Sequence, residues 1–194
     1  CSRILSVSDA LREYLEQWGY TNMTTIRNGI DLSFWDAEST QAEARRNLSL
    51  LGDTAIFLLA GRIGHDKGAT VVERTLPVNA LLIAAGDIPK GTFAGIAERV
   101  RTFQNQSAER MRTLYAACDV VLVPSLHLDP FPTVCLEAQA CSRPVIATRH
   151  GGAKEAVKDG VTGWIVDPKD KHAFAERLRW CTEHRGELPS YGGA

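Results

Sequence analysis

The stretch DVVLVPSLHLDPFPTVCLEAQACSRPVIAT (119–148) reveals the architecture of the chain. It opens on a run of β-branched and aliphatic residues, crosses a proline-marked turn, continues through a helical segment and ends on a second apolar run, PVIAT (144–148). Strand, helix and strand in that order make a βαβ unit. Runs that stay apolar instead of alternating belong to parallel strands covered on both faces. Two acids stand inside this unit: Asp129 just before the turn, and Glu137 eight positions later among apolar neighbours.

The pattern continues in both directions. RILSV (3–7), AIFLLA (55–60), ALLIAA (80–85), DVVLVP (119–124) and GWIV (163–166) read as further short strands. SDALREYLEQWG (8–19), AERMRTLYAACD (108–119) and DKHAFAERLRWCTEH (170–184) carry apolar residues at three-to-four spacing, with Ser or Asp placed to cap them. The expected class is α/β, a Rossmann-like, mostly parallel sheet with helices on both faces. Ligands of such sheets lie beyond the C-terminal ends of the strands, so the residues just after each strand matter most. The tail GELPSYGGA (186–194) is expected to fray.

The chain has 194 residues, 44% hydrophobic, which fits one domain or one domain plus part of another. Lys and Arg number 22 against 23 Asp and Glu, so no long-range field draws in nucleic acid or an anionic membrane, and any anion must be held locally. Cysteines at 1, 118, 135, 141 and 181 show no CxxC spacing and read as buried thiols of a reducing compartment. The histidines at 65, 127, 150, 172 and 184 show no metal-ligand spacing. No apolar run nears the ~18 residues of a membrane span and no signal peptide opens the chain. The reading is cytoplasmic, with no transmembrane segment.

After the strand at 55–60 comes GRIGHDKG (61–68), where Gly61 permits a tight turn and Arg62 and Lys67 stand five residues apart before a helix at about Ala69. A guanidinium that forks onto two oxygens and a mobile ammonium together suit a diphosphate, while a plain solvated loop is the other reading. After the strand at 119–124, a helix is expected to start at Pro132 or Thr133. Its first free N–H groups, on Thr133 and Val134, would face the crevice and suit phosphate or sugar oxygens. Glu137, one turn in, is either an acceptor for ribose hydroxyls or an acid favoured by the helix dipole.

These residues resemble a family. DPFPTVCLEA matches the E-x7-E segment of the family-4 retaining glycosyltransferases of GT-B fold. The likeness continues in order through RILSVSDALREYL, IRNGID (26–31), AGRIGHDKG (60–68), LLIAAGD (81–87), LYAACDVVLVPS (114–125) and RPVIATRHGGAKEAVKDGVTGWIVDP (143–168). The resemblance implies the C-terminal, nucleotide-sugar-binding half of such an enzyme. Residues 1–27 would be the end of an N-terminal acceptor domain and a linker, 28–185 the donor domain and 186–194 a tail.

The resemblance further implies transfer of a hexose from a UDP- or GDP-sugar to a glycan, lipid or small-molecule acceptor. Catalysis would fall to Arg62, Lys67, Asp129 and Glu137, with no metal and no cofactor. Donor contacts would come from Gly61, Asn105, Ser107, Phe131, Pro132, Thr133, Val134 and Glu137. Asn105 and Ser107 would read the base, or are ordinary polar loop residues, and the glycines of HGG (150–152) either sit by the cleft or simply start a helix. The acceptor would bind through a missing N-terminal domain, so these residues alone are expected to bind and not to transfer. In the full protein a peripheral position at the inner face of a membrane stays open.

Two departures bear on the donor sugar: Asp129 stands where the family has Glu, and Pro132 where it usually has Gly. A stand-alone regulatory module that binds nucleotide sugars is the alternative. A dinucleotide oxidoreductase would want GxGxxG, which neither GRIGHDKG nor HGGAKE supplies.

Overall fold

The computed structural model describes residues 3–36, 39–50 and 52–192; Cys1 lies outside them. Its main body is a six-stranded, wholly parallel sheet of β3 (Ala55–Arg62), β4 (Ala80–Asp87), β5 (Val100–Gln104), β6 (Val120–Val123), β7 (Val145–Thr148) and β8 (Gly163–Val166). The order across the sheet is β5-β4-β3-β6-β7-β8. The chain winds outward one way from β3 and the other way from β6, so the two halves part between these neighbours.

Alternation along β3 shows why both faces are covered. Phe57 and Leu59 join one apolar cluster with Val72 of α4 (Ala69–Thr75) and Phe174 and Leu178 of α8 (Lys171–Glu183). Ile56 and Leu58 join another with Ala44 of α3 (Gln41–Asn47), Leu114 of α5 (Ala108–Ala117) and Cys135 and Ala138 of α6 (Thr133–Ala140). The helices begin where their caps are: Ser107 accepts from the Arg110 amide at the start of α5, and Asp170 from the Ala173 amide at the start of α8. At the strand starts, buried Asp119 accepts from the Ile56 amide at 2.7 Å and from Arg45 at 2.8 Å, tying β6 to β3.

The expected strands and helices all form, within a few residues of the expected limits. β5 was not anticipated, because it is a half-exposed edge strand, VRTFQ, whose apolar signal is thin. The tail does not fray over 185–192: Leu188 is buried, and Tyr191 packs against Trp164 with ring centroids 4.7 Å apart. Those apolar contacts hold a segment that composition alone marks as loose.

Residues 3–27 carry a small two-stranded sheet apart from the six-stranded one. β1 (Ile4–Ser6) pairs in parallel with β2 (Met23–Thr25), and α1 (Asp9–Glu16), capped by Ser8, joins them. Leu5, Trp18 and Ile26 are exposed there. A carboxylate on α7 (Ala153–Ala156) ties this segment to the six-stranded sheet and its helices. Glu155 accepts from the amides of Asp9 and Ala10 at 3.0 and 2.7 Å and pairs with Arg27 at 2.9 Å.

Candidate functional site

The C-terminal ends of β3 and β6 open into a cleft of about 270 Å³. Eight of the eleven residues singled out in the sequence line it: Gly61, Arg62, Lys67, Asp129, Phe131, Pro132, Thr133 and Val134. Gly61 and Arg62 are the last residues of β3 and pair with Gly86 and Asp87 of β4. Gly86 has room for no side chain, since a Cβ there would come within 2.0 Å of the Gly61 carbonyl oxygen. The loop after β3 is stapled at both ends, Ile63 N–H to the Asp87 carbonyl and Leu126 N–H to that of Asp66, each 2.8 Å. Lys67 is thereby carried to the wall formed by the segment after β6.

There the Lys67 ammonium donates to the Asp129 carboxylate. Asp129 is 9% exposed, so this ion pair offsets the cost of holding a charge away from water. Arg62, by contrast, keeps a side chain 73% exposed and only a loose 3.6 Å approach to Asp66. One cation is neutralised by a buried carboxylate, and the other is largely solvent-exposed at the cleft lining.

Further along the same segment α6 starts at Thr133 with Pro132 as its cap. The N–H groups of Thr133 and Val134 are the first two of the helix and have no acceptor within it, so the positive end of α6 meets the cleft. Glu137 lies one turn further in and outside the cleft lining. Its carboxylate accepts a 2.6 Å hydrogen bond from Tyr115 of α5. Burial first, then the charge of Glu137, pushes the Tyr115 hydroxyl well above its ordinary pKa, so it stays a donor. Tyr115 was missed in the sequence: it reads there as one apolar position of a helix, and its partner is 22 residues away.

The turn at Gly151 and Gly152 both starts α7 and braces the site. Gly151 has φ +71°, and a Cβ there would lie 2.3 Å from the Asp129 carbonyl oxygen. Gly152 donates its N–H to that oxygen at 2.8 Å. Asn105 and Ser107 do not line the cleft. Asn105 turns the chain after β5 with φ +47°, and Ser107 caps α5. Among the described residues no group of three or more His, Cys, Asp or Glu is arranged to hold a metal ion, and no helix is long and apolar enough to cross a membrane.

The chain is 31% identical, over 98% of its length, to the D-inositol 3-phosphate glycosyltransferase of Mycobacterium bovis BCG, and covers 44% of that protein. Sucrose-phosphate synthase from Thermosynechococcus elongatus superposes with a TM-score of 0.84 at 26% identity, over 97% of this chain and 51% of the other. Anabaena HepE, solved in complex with UDP, superposes with a TM-score of 0.86 at 25% identity, over 99% of this chain and 57% of the other. The chain thus spans about half the length of the relatives it matches. The family profile described as "Glycosyl transferases group 1" matches residues 40–191, and the chain belongs to that family.

Proposed function

We propose that the chain is the donor-binding part of a retaining glycosyltransferase, holding a nucleoside-diphosphate sugar in the cleft between β3 and β6. The observation that carries this reading is the convergence of the eight assigned residues on one cleft at the point where the sheet parts. Arg62 and Lys67 take the diphosphate and stabilise the charge that grows on it as the glycosidic bond breaks. An ammonium has three donors, so Lys67 can keep Asp129 while binding a phosphate oxygen. The N–H groups of Thr133 and Val134 bind donor oxygens, and Glu137, oriented by Tyr115, accepts from the ribose hydroxyls. Asp129 faces the sugar, and its side chain, shorter than Glu, reaches Lys67 from its place on the wall.

UDP is the favoured nucleotide, supported by the complex of HepE with UDP. The cations are supplied by side chains, so binding proceeds without a divalent metal. The acceptor, a glycan, lipid or small molecule, binds through a second domain, a division supported by relatives about twice as long. Residues 1–27 close that other half and 28–185 form the donor half, at work in the cytoplasm. The glycosyltransferase relatives give no support to a stand-alone regulatory module.

Calorimetry of the chain against UDP, GDP and ADP in the presence of EDTA tests the reading. UDP or GDP is expected to bind, and Glu137→Gln to weaken the ribonucleotide more than its 2′-deoxy analogue. Binding that requires magnesium would overturn the metal-free site, and equal losses for the two nucleotides would return Glu137 to the role of helix-dipole partner.

A further inference from the structure

We propose that a second depression, beside the cleft, binds an anionic group, phosphate or carboxylate, carried by the acceptor. This rests on the proposed donor site. The depression, about 460 Å³, lies between α1 and the loops after β6 and β7. His127, Arg149, His150 and Lys154 line it against a single acid, Glu13, with the ring of Tyr14 on the α1 side. Lys154 makes no ion pair among the described residues. Arg149 is 63% exposed and comes only within 4.0 Å of Asp167, which also takes His150 at 3.3 Å. An ammonium and a guanidinium with so little to neutralise them, beside an apolar wall, make a site for an anion.

The two walls are joined. Glu155, next to Lys154 on α7, holds the first amides of α1 and also Arg27, which keeps α1 at a set distance from the Gly151–Lys154 turn. The position is apt for an acceptor. His127 and Leu128 run directly into Asp129, and Gly151 packs on the Asp129 backbone, so the depression adjoins the cleft where the donor sugar is assigned. A ligand could place its anion on Lys154 and Arg149 and a hydroxyl toward Asp129.

Titration of inorganic phosphate and of glucose 6-phosphate into isotope-labelled chain, followed by amide shifts with and without saturating UDP, tests this. Saturable shifts at His127, Arg149, His150 and Lys154 are expected, with binding about fivefold weaker in Lys154→Ala and in Arg149→Ala. Glucose 6-phosphate is expected to bind more tightly than phosphate, because its ring can lie against Tyr14. Equal affinities would overturn the acceptor assignment in favour of a free-phosphate site. Shifts confined to 62–67 and 131–134, or affinities unchanged in both variants, would overturn the site itself. UDP binding, read separately, is expected to be unaltered in both variants. A chain that fails to bind UDP would count against the donor reading, while the phosphate shifts would still decide this one.

Discussion

The hydroxyl of Tyr115 donates to Glu137 Oε2 at 2.6 Å, so a fully buried side chain of α5 orients a charged side chain of α6. Removing the hydroxyl leaves the carboxylate without that donor and the ring packing intact, since Trp35 still meets the ring edge-on at 5.7 Å. Tyr115→Phe is expected to lower stability by about 1–3 kcal/mol in urea unfolding. It is also expected to weaken UDP more than 2′-deoxy-UDP, the same pattern expected of Glu137→Gln. A loss of stability with equal weakening of both nucleotides would make Tyr115 purely structural.

Lys67 and Asp129 test the division of charge in the cleft. Asp129→Asn removes a negative charge from beside the proposed diphosphate position and leaves Lys67 without its counter-charge. UDP itself is expected to bind more tightly, while the preference for a UDP-sugar over UDP is lost. Lys67→Ala is expected to weaken UDP by about 1–3 kcal/mol. It also leaves Asp129 buried without its counter-charge, so stability falls as well. Weaker UDP binding by Asp129→Asn would mean that Asp129 serves the diphosphate only by positioning Lys67.

Gly151→Ala addresses the brace. The residue needs a left-handed backbone, and the added methyl would press on the backbone of Asp129. A stability loss of about 2–4 kcal/mol is expected, with weakened UDP-sugar binding, from denaturant unfolding and calorimetry on the same variant. Wild-type stability in that variant would show that the turn yields freely.

Hydrogen exchange is expected to differ between the two sheets. β1 pairs over three residues with β2 and stands apart from the six-stranded sheet, whereas β6 is central and fully buried. Amides 4–6 are expected to exchange much faster than amides 120–123. Equal protection of both in a demonstrated monomer would place residues 1–27 within one cooperative domain with the rest.

Alkali is expected to unfold the protein through its buried thiols. Burial raises Cys118, Cys141 and Cys181 to about 12, and it pushes the Cys135 thiol up as well. In the unfolded chain thiols lose their protons near pH ~8.5. Above that pH the unfolded state binds fewer protons than the folded one, so stability falls as pH rises toward 12, by about 1.4 kcal/mol per pH unit for each thiol. The same thiols are expected to resist alkylation in the native protein near pH ~8. A denaturation midpoint that stays level from pH ~8 to ~11 would refute the linkage.

Local signals in the chain were enough for the run of elements and most of the cleft. Continuous apolar runs, three-to-four spacing and capping residues placed β3, β4, β6, β7 and β8 with α5, α6 and α8. Arg62 and Lys67 were legible because a parallel sheet offers its ligand site at the C-terminal ends of its strands, and they stand at and after the end of β3, whereas Asp129 was marked by the family resemblance. Which partner each of them meets was settled only by packing. Lys67 on Asp129, Tyr115 on Glu137 and Glu155 on Ala10 join residues 62, 22 and 145 positions apart, and such pairs arise from how helices settle on the sheet. The edge strand β5 and the packed tail were likewise beyond local reading. A polar edge strand is stabilised by its neighbour, and Leu188 and Tyr191 by the aromatic cluster they meet, so neither carries its own signal.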